Sequence, residues 1–294
     1  MDGTLFLQTV VDGLILGGIY SLSAVGFSLI FGVLGIVNLA HGIFILLGAY
    51  IGVALNEMMG LDPLISIPIV FVALFILGAM LQLTLVAGAV RRSSLMSSLL
   101  ITFGASLVIR DGIILVFGPD VQSLSSIWLL DTFHIGGVVV DGARATGLIA
   151  SLALLALLSI ALYRLKVGRA MRATAQHDFA AGLCGVNARN IYAMTFGVSA
   201  AFAGVSGIII GLVNPFSPFD DAYWTLNAFV TVVLGGVGSP LGALLGGLLL
   251  GEISTFSSQY IGSLYPNIFI FCTLLIMLIV RPNGLLGNAY KGSV

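Results

Sequence analysis

The sequence predicts an all-α, polytopic transmembrane helix bundle of about eight hydrophobic segments, with one broken or re-entrant segment near 224–258. Three observations carry this reading. Apolar residues make up 59% of the chain, charged residues 8%, and the mean hydropathy is +1.16. An ordinary soluble domain carries about a quarter charged residues, so a surface this poor in charge takes lipid as its solvent. The apolar residues also come in runs of about 20, the length at which a helix spans a bilayer. Finally, nine of the eleven Lys and Arg residues sit in short stretches between those runs.

The segments follow in chain order. The first run, roughly 5–33, is long and is expected to tilt. Runs at 38–56, 64–90, 95–118, 145–164 and 190–213 each fit one span. The run 224–258 is too long for one helix and is interrupted at Gly235-Gly236-Val237-Gly238-Ser239-Pro240. Proline there removes a backbone donor and the glycines add freedom. The last run is 265–281. Residues 1–294 therefore read as a single transmembrane domain whose longest basic interruption is the loop 164–189. The start, Met1-Asp2-Gly3-Thr4, lacks the basic region of a secretory signal, so no cleaved peptide is expected.

Arg91, Arg92, Arg164, Lys166, Arg169, Arg172, Arg189, Arg281 and Lys291 are expected inside the cell. The opposite loops hold Glu57, Asp62, Asp120, Asp131, Asp141, Asp220 and Asp221, with Arg144 as their one base. This sets the N-terminus outside and the C-terminus in the cytoplasm, provided that 224–258 returns to the face it came from. It does so either as two short crossings or as a re-entrant hairpin.

Small residues recur at helical spacing: Gly13, Gly17 and Gly18; Gly197, Gly204, Gly207 and Gly211; Gly242, Gly246, Gly247 and Gly251. Such faces serve close packing, within the chain or between chains. Asp12 and Glu252 within spans have two readings, local packing or a polar path. Arg110 and Asp111 read as a structural pair near a helix end. His41, after Asn38-Leu39-Ala40, reads as a helix-capping residue. Cys184 and Cys272 lack metal-ligand spacing. Walker, zincin and nucleophile-elbow strings are absent from the sequence, and no cofactor, metal or nucleic-acid partner is expected.

The compact polar constellation is 164–189. A helix over 168–183 would stack Met171, Ala175, Phe179 and Leu183 on one face, with Arg169 and Arg172 off it. It reads either as an element docking in a partner's groove or as an interfacial helix on anionic lipid.

Gly168-Arg169-Ala170-Met171-Arg172-Ala173-Thr174-Ala175-Gln176-His177-Asp178, Gly185-Val186-Asn187 and Ala193-Met194-Thr195-Phe196 resemble the cytoplasmic coupling segment of the branched-chain amino-acid permeases of ABC importers. The likeness extends through Gly17-Gly18-Ile19-Tyr20-Ser21-Leu22, Asn38-Leu39-Ala40-His41-Gly42, Asn214-Pro215, the Val233–Ala243 string and Arg281-Pro282-Asn283-Gly284-Leu285-Leu286-Gly287. The length suits the LivH type. The poorer match is 119–143. The resemblance implies a permease without an ATPase site of its own in a bacterial inner membrane. It would pair with a second homologous permease, two cytoplasmic ABC ATPase subunits and a periplasmic solute-binding protein. It also implies that Gly168, Arg169, Met171, Arg172, Ala175, Asp178, Phe179, Leu183, Gly185 and Asn187 couple to the ATPase. By analogy with broken-helix transporters, Asn38, His41, Gly236, Gly238, Ser239 and Pro240 are the pathway candidates, expected near the midplane and facing the partner permease. A stand-alone secondary carrier is the alternative; it would need Asp12 or Glu252 for ion coupling. A membrane enzyme would need a nucleophile–base set that these residues do not assemble.

Overall fold

The computed structural model describes residues 3–88, 95–129, 131–135 and 137–286. They form a helical bundle with one small hairpin. Its helices are α1 (Gly3–Leu34), α2 (His41–Met59), α3 (Pro63–Leu81, prolonged by a π turn over Gln82–Val86), α4 (Leu95–Phe117), α5 (Gly142–Arg164), α6 (Lys166–Gln176), α7 (Asp178–Leu183), α8 (Ala188–Val213), α9 (Asp221–Gly235), α10 (Pro240–Tyr260) and α11 (Pro266–Val280). Seven of these are long and apolar enough to cross a membrane; α9 and α11 are shorter. Arg91, Arg92 and Lys291 lie outside the described residues.

Local chemistry sets the helix ends. Asp62 caps α3 by accepting from the Leu64 N–H at 2.9 Å, with Pro63 in the first turn. Asp141 caps α5 and Asn187 caps α8 in the same way. Asn, Asp and Ser suit this position because their side-chain oxygens reach orphan N–H groups, and Pro lacks the N–H that would go unpaired.

Helices α1 and α8 form the centre and are buried along most of their length, while α3, α4 and α5 bury only a stripe. A helix apolar all round has no preferred face and belongs inside protein or lipid. The glycine stripes close this centre. A Cβ at Gly17 or Gly251 would enter the backbone of the facing helix, which seats α1 directly on α10. Gly48 of α2 and Gly204 of α8 are in backbone contact in the same way. Of the two uses open to the glycine faces, these contacts are made within the chain.

Helix direction alternates. Gln8, near the start of α1, bonds both ways with Val139 of the hairpin Phe133–Ile135/Val138–Val140 at 2.8 Å. That end carries Asp62, Asp120 and Asp141. The other end of α1 meets residues 174–178, so it is the arginine-bearing end. The broken run resolves into α9 and α10, joined at 236–239. Helix α10 runs antiparallel to α1: Gly238 meets Ser28, and Phe256 lies edge-on to Phe6 at 5.7 Å. The segment therefore returns to the acidic end, but as one short and one full-length helix rather than as two short crossings or a re-entrant hairpin. Helix α11 then brings Arg281 back to the arginine-bearing end, where Leu285 N–H donates to Leu234 O at 2.9 Å.

Candidate functional site

Helix α2 begins about two-thirds of the way along α1, level with Ser23. After Leu34 the chain reverses through Gly35 (φ 67°), a left-handed conformation that favours glycine, and climbs back into the bundle. Asn38 Oδ1 accepts from the Ala40 N–H at 3.0 Å, and the Leu39 N–H donates to Thr102 Oγ1 of α4 at 3.1 Å. The turn is thus shaped by Asn38, and His41 does not cap it. The His41 ring is fully buried, edge-on to Phe27 at 5.4 Å, with Nε2 2.6 Å from the carbonyl of Ser23. A carbonyl only accepts, so this bond assigns the proton to Nε2. Nδ1 and the Asn38 Nδ2 have no hydrogen-bond partner among the described residues.

A second irregular segment descends from the acidic end to meet the first. Phe216 pairs with Gln122 as a β-bridge, and Ser217 and Asp220 form a capping box around the short 3-10 turn Pro218–Asp220. Helix α9 then opens at Asp221. Thr225 Oγ1 accepts from the Gly42 N–H and donates to the Asp221 carbonyl, both at 2.8 Å. Any side chain at Gly42 would run into the Asp221 backbone. The amino ends of α2 and α9 therefore abut at mid-bundle, where helix dipoles and unpaired N–H groups concentrate positive potential. The Asp221 carboxylate offsets it. Its Oδ2 accepts from Ser106 Oγ at 3.0 Å, and its Oδ1 lies 3.6 Å from Arg110 Nη1. Arg110 therefore serves Asp221 rather than forming a self-contained pair with Asp111, which is 4.0 Å away and 71% exposed. Tyr223 at the start of α9 reaches Tyr20 of α1, their hydroxyls 3.2 Å apart.

The Gly236–Pro240 break lies apart from this junction. Gly236 (φ 105°) and Gly238 (φ 79°) turn the chain, the Gly238 N–H donates to Ser28 Oγ at 3.1 Å, and Ser239 caps α10 ahead of Pro240. Ser28 is more than a turn nearer the end of α1 than Ser23, so the two breaks are staggered. The second break is thus the nearer of the two to the arginine-bearing end.

That end carries the 164–189 loop. A single helix over 168–183 is not what forms: the chain breaks at His177 (φ −160°) between α6 and α7. The apolar stripe divides with it. Met171 is buried and Ala175 half-buried, whereas Phe179 is 70% and Leu183 76% exposed. Gly168 fits against the last carbonyls of α5, where a Cβ has no room. Arg172 lies over the Tyr163 ring at 4.5 Å, and Arg169 is exposed. Asp178 Oδ2 accepts from the Tyr192 hydroxyl at 3.5 Å, Gly185 (φ 83°) turns the chain, and Asn187 starts α8. A cavity of about 530 Å³ separates residues 174–178 from the inner end of α1, with Tyr192 and Val237 also on its wall. It brings the 164–189 loop and the second break to one space.

The sequence matches the family described as branched-chain amino acid transport system / permease component over residues 9–280. The chain belongs to that family. It is 30% identical to the high-affinity branched-chain amino acid transport system permease protein BraD of Pseudomonas aeruginosa, over 96% of each chain. It is 31% identical to LivH of Escherichia coli K12, again over 96% of each. It is 29% identical to the permease protein LivM of the same organism, over 94% of this chain and 69% of that one. No solved structure matches.

The permease thus brings Asn38 and His41 into one junction, and Gly236, Gly238, Ser239 and Pro240 into another. Reasoning from sequence missed Ser106, Thr225 and the Arg110–Asp221 pair. The signal that could have found them was Asp221 itself, an acid that opens an apolar run and so needs a partner.

Proposed function

We propose that this permease forms one half of a translocation path for branched-chain or related small amino acids or amides in an ATP-driven importer. A second homologous permease completes the path, a periplasmic protein delivers the solute, and two cytoplasmic ATPases dock on the arginine-bearing end. That end faces the cytoplasm and the acidic end faces outward, consistent with the bias of Lys and Arg. The observation that carries the reading is the α6–α7 elbow. Its buried Met171 anchors it to the bundle, while Phe179 and Leu183 stand in the open as apolar anchors for a groove. Across the 530 Å³ cavity the elbow faces α1 and Val237, so a push on α7 has a short route to the second break and along α1 to the junction at His41.

The same reading assigns the path to the mid-bundle junction. Among the described residues, buried polar atoms of Asn38 and His41 without a hydrogen-bond partner mark a seam that is polar but closed. The test is Phe179→Asp. Since Phe179 is exposed, insertion and yield should be unchanged, while ATPase co-purification and ATP-driven leucine uptake fall. Normal uptake and normal co-purification in that variant would overturn the assignment.

A further inference from the structure

At the acidic end, a second cavity of about 250 Å³ lies between α1, α5, α8, α10 and α11. Its wall holds one carboxylate and one guanidinium, Asp12 and Arg144, beside the apolar Ile15 and Ile19 and the hydroxyls of Ser254 and Ser258. Asp12 Oδ1 and Arg144 Nη1 are 3.7 Å apart, close enough to attract and too far for a hydrogen bond. Both keep bonding capacity toward the cavity. Asp12 is held through its carboxylate and Arg144 through its backbone. Gln8 donates to Asp12 Oδ2 at 3.1 Å and is itself fixed by its two bonds to Val139. Arg144 sits in the first turn of α5, which Asp141 caps. A half-exposed ion pair adds little stability by itself, so the bracing of Asp12 through Gln8 and Val139, opposite a guanidinium set by the start of α5, points to another role.

We infer that this cavity is a binding site for the zwitterion of an aliphatic α-amino acid, a site that rests on the importer reading above. The α-carboxylate takes the two-pronged guanidinium of Arg144, a geometry that arginine favours. The α-ammonium takes Asp12, and the aliphatic side chain lies on Ile15 and Ile19. The two head-group charges lie alongside the Asp12–Arg144 pair rather than between its members, so that the four charges alternate in sign and each protein charge keeps its partner and gains a second opposite charge. The volume suits a small solute and is below the range of larger ligand pockets. At the outward-facing end, the site would hold solute before it passes along α1 to the mid-bundle junction. A zwitterionic lipid headgroup presents the same two charges, and the test below separates the two sources.

The experiment uses the full-length permease with its co-purified partners in lipid nanodiscs and measures binding of leucine, N-acetyl-leucine, which lacks the ammonium, and leucinamide, which lacks the carboxylate. Asp12→Asn should weaken leucine by roughly ten- to a hundredfold, as expected for a lost hydrogen bond to a charged group, and leave N-acetyl-leucine unchanged. Arg144→Gln should weaken leucine similarly and leave leucinamide unchanged. The retained analogue in each variant reports that the cavity is intact. Equal loss for every ligand, no saturable leucine binding, or stronger displacement by glycerophosphoethanolamine than by unlabelled leucine overturns the site. ATP-driven leucine uptake by the unsubstituted complex is scored separately. Uptake without the matched binding pattern removes the site and keeps the function; the matched pattern without uptake does the reverse.

Discussion

Arg110 of α4 and Asp221 of α9 meet with Nη1 3.6 Å from Oδ1, and through this pair the peripheral α4 holds the start of α9 against the start of α2. Asp221 is buried and Arg110 is half-buried. Removing the cation leaves the carboxylate, among the described residues, with Ser106 and a helix end to satisfy it.

The first prediction follows from that asymmetry. Breaking a fully buried ion pair costs about 3–5 kcal/mol; partial exposure of Arg110 lowers the expected cost of Arg110→Gln to about 1–3 kcal/mol. Asp221→Asn should cost less, because the amide oxygen still accepts from Ser106. The double variant should recover most of the loss. Thermal stability of the permease in detergent, followed by size-exclusion chromatography, checks this. Additive losses in the double variant would mean that the two side chains act independently.

A second prediction concerns the α2–α8 seam. A Cβ at Gly48 would meet the backbone of Gly204, which has nowhere to move, whereas a Cβ at Gly104 of α4 meets nothing within 4 Å. Both substitutions to alanine gain helix propensity, by roughly 0.5–1 kcal/mol. Gly104→Ala should therefore be neutral or stabilising. Gly48→Ala should instead destabilise by about 1–3 kcal/mol of overpacking. The two are compared by melting temperature at equal expression.

Much of this bundle is legible in the sequence. Run lengths gave the spans, and Gly236-Val237-Gly238-Ser239-Pro240 gave a real break because those residues have turn chemistry at any depth. Depth itself was not legible. Hydropathy is blind to whether a helix starts at a bundle end or halfway in, so the level of His41 with Ser23 and the descent of 214–220 were hidden. Partner choice was hidden too. Asp111 is next to Arg110 in sequence, but consecutive helical residues point in different directions, and Asp221 arrives from a distant segment. The spacing of four from Met171 to Leu183 was real, yet His177 adopts an extended conformation and splits the stripe into an anchor and an open pair.

That split yields a third prediction. Met171 is 3% exposed, and Met171→Ala removes packing worth about 2–5 kcal/mol at core sites. Phe179→Ala removes almost no packing within the chain. Hydrogen exchange over 166–183 should therefore accelerate in Met171→Ala and stay unchanged in Phe179→Ala for the isolated permease. In a complex with the ATPases proposed above, the order should reverse in the binding readout, with Phe179→Ala giving the larger drop in co-purified ATPase. Acceleration by both variants in the isolated chain would mean that α7 is held by Phe179 and is not free to dock.

The fourth prediction fixes orientation, on which the coupling reading depends. Cys184 follows α7 and is exposed, and Leu264, in the turn between α10 and α11, is 86% exposed at the opposite end. The other cysteine, Cys272, is also exposed and is replaced by alanine to remove its signal. In this background, a membrane-impermeant maleimide should label Cys184 in inverted vesicles and leave it untouched in right-side-out vesicles. With Cys184 also replaced, Leu264→Cys should give the reverse pattern. The two positions are separated by the passes α8, α9 and α10, whose directions alternate, so they must lie on opposite sides of the bilayer whichever way the chain inserts. Labelling of Cys184 from outside would invert the permease, put the elbow beyond the reach of a cytoplasmic ATPase and place the Asp12–Arg144 cavity on the inner face.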